Sequence, residues 1–194
     1  NYKILKEPVK RIIAAPSFLQ YQYQNTFLIF TRNTINRFIL EGSASGWAAN
    51  AGSLIEEKKQ YGLLADKSLM RIGDAVFWLS EVGIVKWDSQ GLNLISKNVV
   101  NIAIEEDSFA FYNSINNQYM LHQPSDGNTY VYHIDRNMWT KYTGLNIIST
   151  GILTGGSEFD NINLVLNEDN KIDKFPSEEY TDEESIIKTK DLFF

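Results

Sequence analysis

An all-β fold is predicted by three observations. A strand–turn–strand pattern recurs along the chain. β-Branched and aromatic residues gather in runs of about four to eight, broken by Gly, Asn, Asp and Ser. No sustained apolar stripe appears at helical spacing. The recurring pattern is Ile, any residue, a base, an aromatic: Ile35-Asn36-Arg37-Phe38, Ile84-Val85-Lys86-Trp87 and Ile172-Asp173-Lys174-Phe175. Each copy follows an apolar run (Phe27–Phe30, Val76–Leu79, Leu164–Leu166) and a polar turn (Arg32–Thr34, Glu81–Gly83, Glu168–Lys171). A divergent copy runs Tyr119–His122, then the turn Ser125–Asn128, then Tyr130–Tyr132. The steps from Ile35 to Ile84, on to Val131 and on to Ile172 are 49, 47 and 41 residues. Four-stranded propeller blades recur at about 40–50 residues. The prediction is therefore a β-propeller segment of about four antiparallel blades.

Along the chain, residues 1–24 are expected to form a lead-in strand and residues 25–176 the blades. Residues 177–194 are expected to be an acidic loop and an exit strand toward a downstream domain, the whole being part of a longer protein. Ile35, Phe38, Ile84, Trp87, Ile172 and Phe175 form the expected repeat core, with the three aromatics buried between sheets. Residues 42–53 are small and Gly-rich around Trp47, the reading of an inter-blade loop with Trp47 as a candidate interaction residue. Ser53–Lys59 and Val99–Glu106 are the two stretches where a turn or two of helix is conceivable. Asp126-Gly127 predicts a two-residue type I′ hairpin loop. That register pairs Ser125 with Asn128, His122 with Val131 and Met120 with His133. It puts Met120, His122, Val131 and His133 on one face, and Tyr119, Leu121, Tyr130, Tyr132 and Ile134 on the other. Both faces are mostly apolar or aromatic, as in a sheet covered on both sides.

Composition narrows the chemistry. The 194 residues include 18 basic and 24 acidic ones, a net charge of -6, which argues against wrapping nucleic acid by phosphate neutralisation. Lys10-Arg11 near Tyr21 and Tyr23 form no stripe of charge. Aromatics at 13% supply the anchors that a disordered chain lacks. With no Cys, disulfides, thiol catalysis and thiolate metal sites are excluded. No apolar run approaches the roughly 18 residues of a membrane-spanning helix, and no membrane association is expected. No nucleophile elbow and no phosphate loop occur. In the hairpin register above, His122 and His133 are diagonal neighbours about 7–8 Å apart, but a third metal ligand is missing beside them. Asp126 with Asn128, and Glu168 with Asn170, lack the bidentate Glu of a calcium loop, so turn chemistry accounts for them. The expectation is no catalytic residue, no cofactor and no metal.

The segments Phe27–Phe38 (FLIFTRNTINRF), Tyr61–Asp88, Asn117–Leu121 and Val131–Tyr142 together resemble the β-propeller part of tailed-phage structural proteins, namely the tail nozzle and packaged-DNA stabilisation proteins of short-tailed phages and their prophage relatives. Ile186–Phe194 is similar to the strand that leaves the propeller in such proteins. The resemblance covers residues 20–194 and rests on a rhythm of Gly, aromatics and turns. It implies a non-enzymatic virion subunit, made in the bacterial cytoplasm, in a ring that extends the head-to-tail channel and retains packaged DNA. Its implied partners are further copies of itself, neighbouring virion proteins and, in passive contact, DNA. Channel walls in such rings tend to be acidic, in keeping with the charge of this chain. Two other classes stay open on the residues alone: a carbohydrate- or receptor-binding propeller such as an adhesin, and a propeller glycoside hydrolase with two carboxylates across a cleft.

Overall fold

The computed structural model describes residues 5–20, 25–40, 53–97, 102–153 and 162–175. The chain divides into two compact units, Asn1–Lys97 and Asn98–Phe194. Both are built from antiparallel sheets whose strands follow one another in chain order.

In the first unit, the first sheet contains β1 (Arg11–Ala14), β2 (Asn25–Phe30), β3 (Thr34–Leu40) and β4 (Ser53–Lys59). A helical turn, α1 (Ser17–Gln20), stands between β1 and β2. The lead-in segment thus supplies the first strand of the first sheet. Ser53–Lys59 is a strand rather than a helical turn, because pairing with β3 satisfies its backbone along the edge. The second sheet contains β5 (Met70–Ile72), β6 (Ala75–Ser80), β7 (Gly83–Asp88) and β8 (Gly91–Leu94). The expected apolar runs and their following copies of the Ile pattern are the second and third strands of these sheets.

The two sheets meet face to face. In β2, Leu28 and Phe30 are buried while Phe27 and Ile29 are half-buried, the alternation of a strand with one covered face. In β6 every residue from Val76 to Ser80 is buried, so both of its faces are covered. Leu28, Phe30 and Ile35 of the first sheet share a core with Val76, Trp78, Val85 and Trp87 of the second. At its centre the ring of Phe30 stands edge-on to Trp78, with centroids 5.2 Å apart and planes at 75°. Each such side chain contributes about 1.5–3 kcal/mol by leaving water. The indole N–H is not stranded: Trp78 Nε1 donates to the Tyr61 carbonyl at 2.9 Å.

That carbonyl belongs to the segment joining the sheets. Leu63 N donates to Thr31 O at 2.9 Å and Leu64 N to Leu79 O at 2.9 Å, so the connection is bonded to both hairpins it separates. Lys10 Nζ donates to Leu64 O at 2.6 Å and pairs with Asp66 at 3.1 Å. Gly62 passes so close to the β2–β3 turn that a Cβ there would lie 2.2 Å from the Arg32 carbonyl oxygen. No side chain fits without moving backbone.

In the second unit, the third sheet contains β9 (Phe109–Asn113), β10 (Gln118–Gln123), β11 (Asn128–His133) and β12 (Met138–Tyr142). The fourth contains β13 (Ile147–Leu153), β14 (Ile162–Asn167) and β15 (Ile172–Phe175). Phe111, Met120 and Val131 of the third sheet share a core with Leu145, Ile147 and Val165. Residues 102–105, within the second stretch where helix was conceivable, carry no helix.

The hairpin at Asp126-Gly127 departs from the predicted register. Gln123 pairs with Asn128, His122 with Thr129, Met120 with Val131 and Gln118 with His133. The loop is therefore four residues, Pro124–Gly127. A type I′ turn needs positive φ at both central residues, but only Gly127 has it, at +64°. Asp126 instead accepts the Asn128 N–H at 2.9 Å in an Asx turn. The slip is two residues, an even number, so both predicted faces keep their members.

Replacing Gly62 with Ala is expected to lower stability by about 1–3 kcal/mol, the range for forcing a methyl group into filled space. Gly151→Ala, where a Cβ meets nothing within 4 Å, is the control and is expected to stay within about 0.5 kcal/mol of the parent. Urea denaturation midpoints measure both. Equal midpoints would show that the connection is free to move.

Candidate functional site

Of the repeat core, Ile35 and Ile84 are fully buried and Trp87 nearly so. Phe38 is only half-buried, on the face of the first sheet turned away from the second, because three residues along a strand reverse the side from Ile35. Ile172 is 68% exposed instead of buried. Its partner is Leu166, one residue from Val165, so it lies on the opposite face from the one that packs against the third sheet. The side chain of Phe175 lies outside the described residues, as do Trp47 and all of 177–194.

These positions share a sense. Ile35 looks from the first sheet onto the second, and Trp87 looks back at the first. Ile84, paired with Leu79, is on the second sheet's other face. In the second unit Val165 looks back at the third sheet and Ile172 looks away from it. In each unit the leading sheet turns the face with Ile35 or Val131 onto the sheet that follows, and that following sheet's own Ile, Ile84 or Ile172, lies on its opposite face. In the fourth sheet the onward face carries an Ile open to water.

The third sheet holds more buried polar side chains than any other sheet among the described residues. Tyr112, Tyr119, Tyr132 and Trp139 align across its four strands. The last three are buried, so this row is interior rather than a surface on which a sugar ring stacks. Burial alone pushes the Tyr119 phenol far above its ordinary range. The three hairpins each close with four residues, and the last of these has positive φ: Asn117, Gly127, Asn137. Tyr112 donates to the Asn117 carboxamide oxygen at 2.9 Å, and Tyr132 donates to that of Asn137. The first and third of these hairpins, twenty residues apart, are visible in the sequence as a Tyr followed five residues later by Asn, while the middle one has His122 and Gly127.

His122 and His133 are on one face as predicted, but not adjacent. His122 stands opposite Thr129, and His133 is four residues further along that strand, about 14 Å away at about 3.4 Å per residue. They cannot share a ligand. His122 Nδ1 bonds Thr129 Oγ1 at 2.8 Å, and its ring also bonds the backbone of Ile147, tying the third sheet to the fourth. His133 bonds Gln118 Nε2 at 3.1 Å and Thr140 Oγ1 at 3.0 Å. Gln118 in turn accepts from Asn113 Nδ2 at 3.0 Å. Burial pushes His122 below the ordinary histidine value, against the opposing pull of Ile147 and Asp126. Burial and then the charge of Arg136 lower His133.

Elsewhere carboxylates serve as ties. Glu7 accepts from Asn33 side chain and backbone at 2.9 and 3.1 Å, and Asp74 accepts from Ser17 Oγ and N at 2.5 and 2.9 Å. These bonds hold both carboxyls below their ordinary pKa. Arg32 reaches Glu81 at 3.0 Å, joining the β2–β3 and β6–β7 turns. Among the described residues, no three His, Cys, Asp or Glu side chains gather as a metal site.

A histidine depressed in the folded state destabilises the fold when protonated. Between the lowered value and the ordinary value of about 6.5, the unfolded chain takes up a proton the folded chain does not. Stability is therefore expected to rise with pH through that window and to fall as pH drops below about 6.5. His122→Gln should flatten this dependence in thermal melts; equal slopes in parent and variant would remove His122 as the cause. No protein-family model matches the chain, and no curated protein matches it.

Proposed function

We propose that the chain is a β-propeller segment of a non-enzymatic phage virion protein, a subunit of a head-to-tail channel ring that retains packaged DNA. The observation that carries this reading is the common sense of sheet stacking in both units. A sheet with two different faces, always placed the same way round, makes heterologous contacts, and such contacts close into rings when the rotation allows. A four-stranded meander repeated at about 40–50 residues is also the propeller unit. The resemblance of Phe27–Phe38 and Tyr61–Asp88 to phage nozzle and stabilisation proteins names the kind of ring. The net charge of -6 suits a channel along which DNA slides. The aromatic and histidine side chains of the third sheet are occupied with one another, in keeping with a structural role.

Ile172 is the residue through which to test assembly, since its exposure makes it dispensable for the fold of a single copy. The purified chain is expected to form discrete oligomers by mass photometry and rings by negative-stain microscopy. Ile172→Asp is expected to leave the melting temperature unchanged and to shift the population to single copies. A parent chain that stays monomeric at high concentration, or a variant that assembles as well as the parent, would reject the ring.

A further inference from the structure

Among the described residues, five buried side-chain atoms have no hydrogen-bond partner: Arg37 Nε, Glu57 Oε1, Glu105 Oε2, Ser108 Oγ and Gln123 Oε1. The first two lie 2.7 Å apart and neutralise each other as an ion pair. The remaining three are all oxygens, carried by Gln123 at the end of β10 and by Glu105 and Ser108 of the segment that leads into β9. Phe109 pairs with His122, the last pair of the β9–β10 ladder, and continuing that register by one residue sets Ser108 opposite Gln123. Both are fully buried. The Gln123 amide nitrogen donates to the Ala103 carbonyl, which turns its Oε1 away from that bond. Ser125 Oγ donates to Glu105 Oε1 at 2.6 Å, which leaves Glu105 Oε2 as the unpartnered carboxylate oxygen. The segment before β9 is thereby laid along the end of β10. Tyr130 shares the face of Gln123, and its phenol, raised mainly by burial, also feels the charges of Asp126 and Glu105. The Lys141 ammonium stands 5.3 Å over the Tyr130 ring.

We propose that Glu105 Oε2, Ser108 Oγ and Gln123 Oε1 hold a partly hydrated divalent cation of the calcium and magnesium class. A carboxylate, an amide carbonyl and a hydroxyl are the hard oxygen donors such ions take, and three protein oxygens leave the remaining positions to water. Two of the three atoms are acceptors only, and one carries charge. A cation satisfies all three at once and compensates the carboxylate, of which Ser125 partners only one oxygen. This revises the expectation of no metal. The sequence hid the site because its donors, Glu105, Ser108 and Gln123, follow no loop motif and are brought together by strand register.

The probe is terbium, which takes calcium sites and emits when a nearby tyrosine, here Tyr130, is excited. The full chain is expected to show saturable tyrosine-sensitised emission that calcium displaces, and a melting temperature that rises saturably with calcium. Glu105→Gln, which keeps the Ser125 bond, and the smaller change Ser108→Ala are each expected to weaken terbium binding at least tenfold. The calcium-dependent rise in melting temperature should disappear in Glu105→Gln. Emission absent at millimolar terbium, or unchanged in both variants, overturns the proposal and leaves a water as the occupant. Emission lost in Asp126→Asn but kept in the other two overturns it as well, placing the ion on the exposed hairpin.

Discussion

The contact between Phe30 and Trp78 shows the constraint on which the first unit depends. The strand β6 is buried on both faces, so it needs cover on each side. On one side that cover is the first sheet, and the T-shaped pair sits where the two meet. The position of Trp78 in turn fixes Tyr61, whose carbonyl takes the indole proton, and so fixes the connection in which Gly62 passes against the Arg32 carbonyl. Core, connection and turn are therefore one arrangement. The exposed ion pair between Arg32 and Glu81 rests on it and adds little, as surface pairs contribute about 0–1 kcal/mol.

The second unit solves a different problem. Its third sheet carries polar side chains inside, and these are satisfied by neighbours in the same rows. Asn113, Gln118, His133 and Thr140 form one chain of hydrogen bonds. His122 takes Thr129 within the sheet and reaches Ile147 beyond it. A buried polar row satisfied this way makes a register slip costly, because every partner would change. The apolar residues of that same face would not do this alone: Met120 and Val131 could each meet a different apolar neighbour at small cost. Against that economy of partners, the unpaired oxygens of Glu105, Ser108 and Gln123 stand out.

Directionality links the fold to the proposed assembly. In both units a face of the leading sheet meets an unlike face of the sheet that follows, a heterologous rather than a self-complementary contact. Growth by such contacts proceeds around or along an axis, and what stops it is geometry rather than exhaustion of surface. Under the proposed assembly the open Ile172 would be the fourth sheet's point of continuation; in a single copy it is an exposed hydrophobe.

Much of this was legible in the sequence. The apolar runs Phe27–Phe30, Val76–Leu79 and Leu164–Leu166, with their following Ile patterns, mark the second and third strands of three sheets, because a two-residue period and polar turns are local properties. The two faces of the β10–β11 hairpin were legible for the same reason, even with the loop length misjudged. The partners were not. Whether Phe38 or Trp87 is covered depends on which sheet stacks on which face, and Ile172 has the same local sequence whether another sheet follows it or not. The separation of His122 from His133 turned on whether Asp126 takes positive φ beside Gly127, a choice settled by an Asx bond and the packing of four strands. The sequence by itself determined which residues alternate and where the chain turns, since these follow from backbone geometry over a few residues. Only the tertiary structure decided what each face meets and which buried oxygens go unpaired, because those depend on sheets brought together across tens of residues.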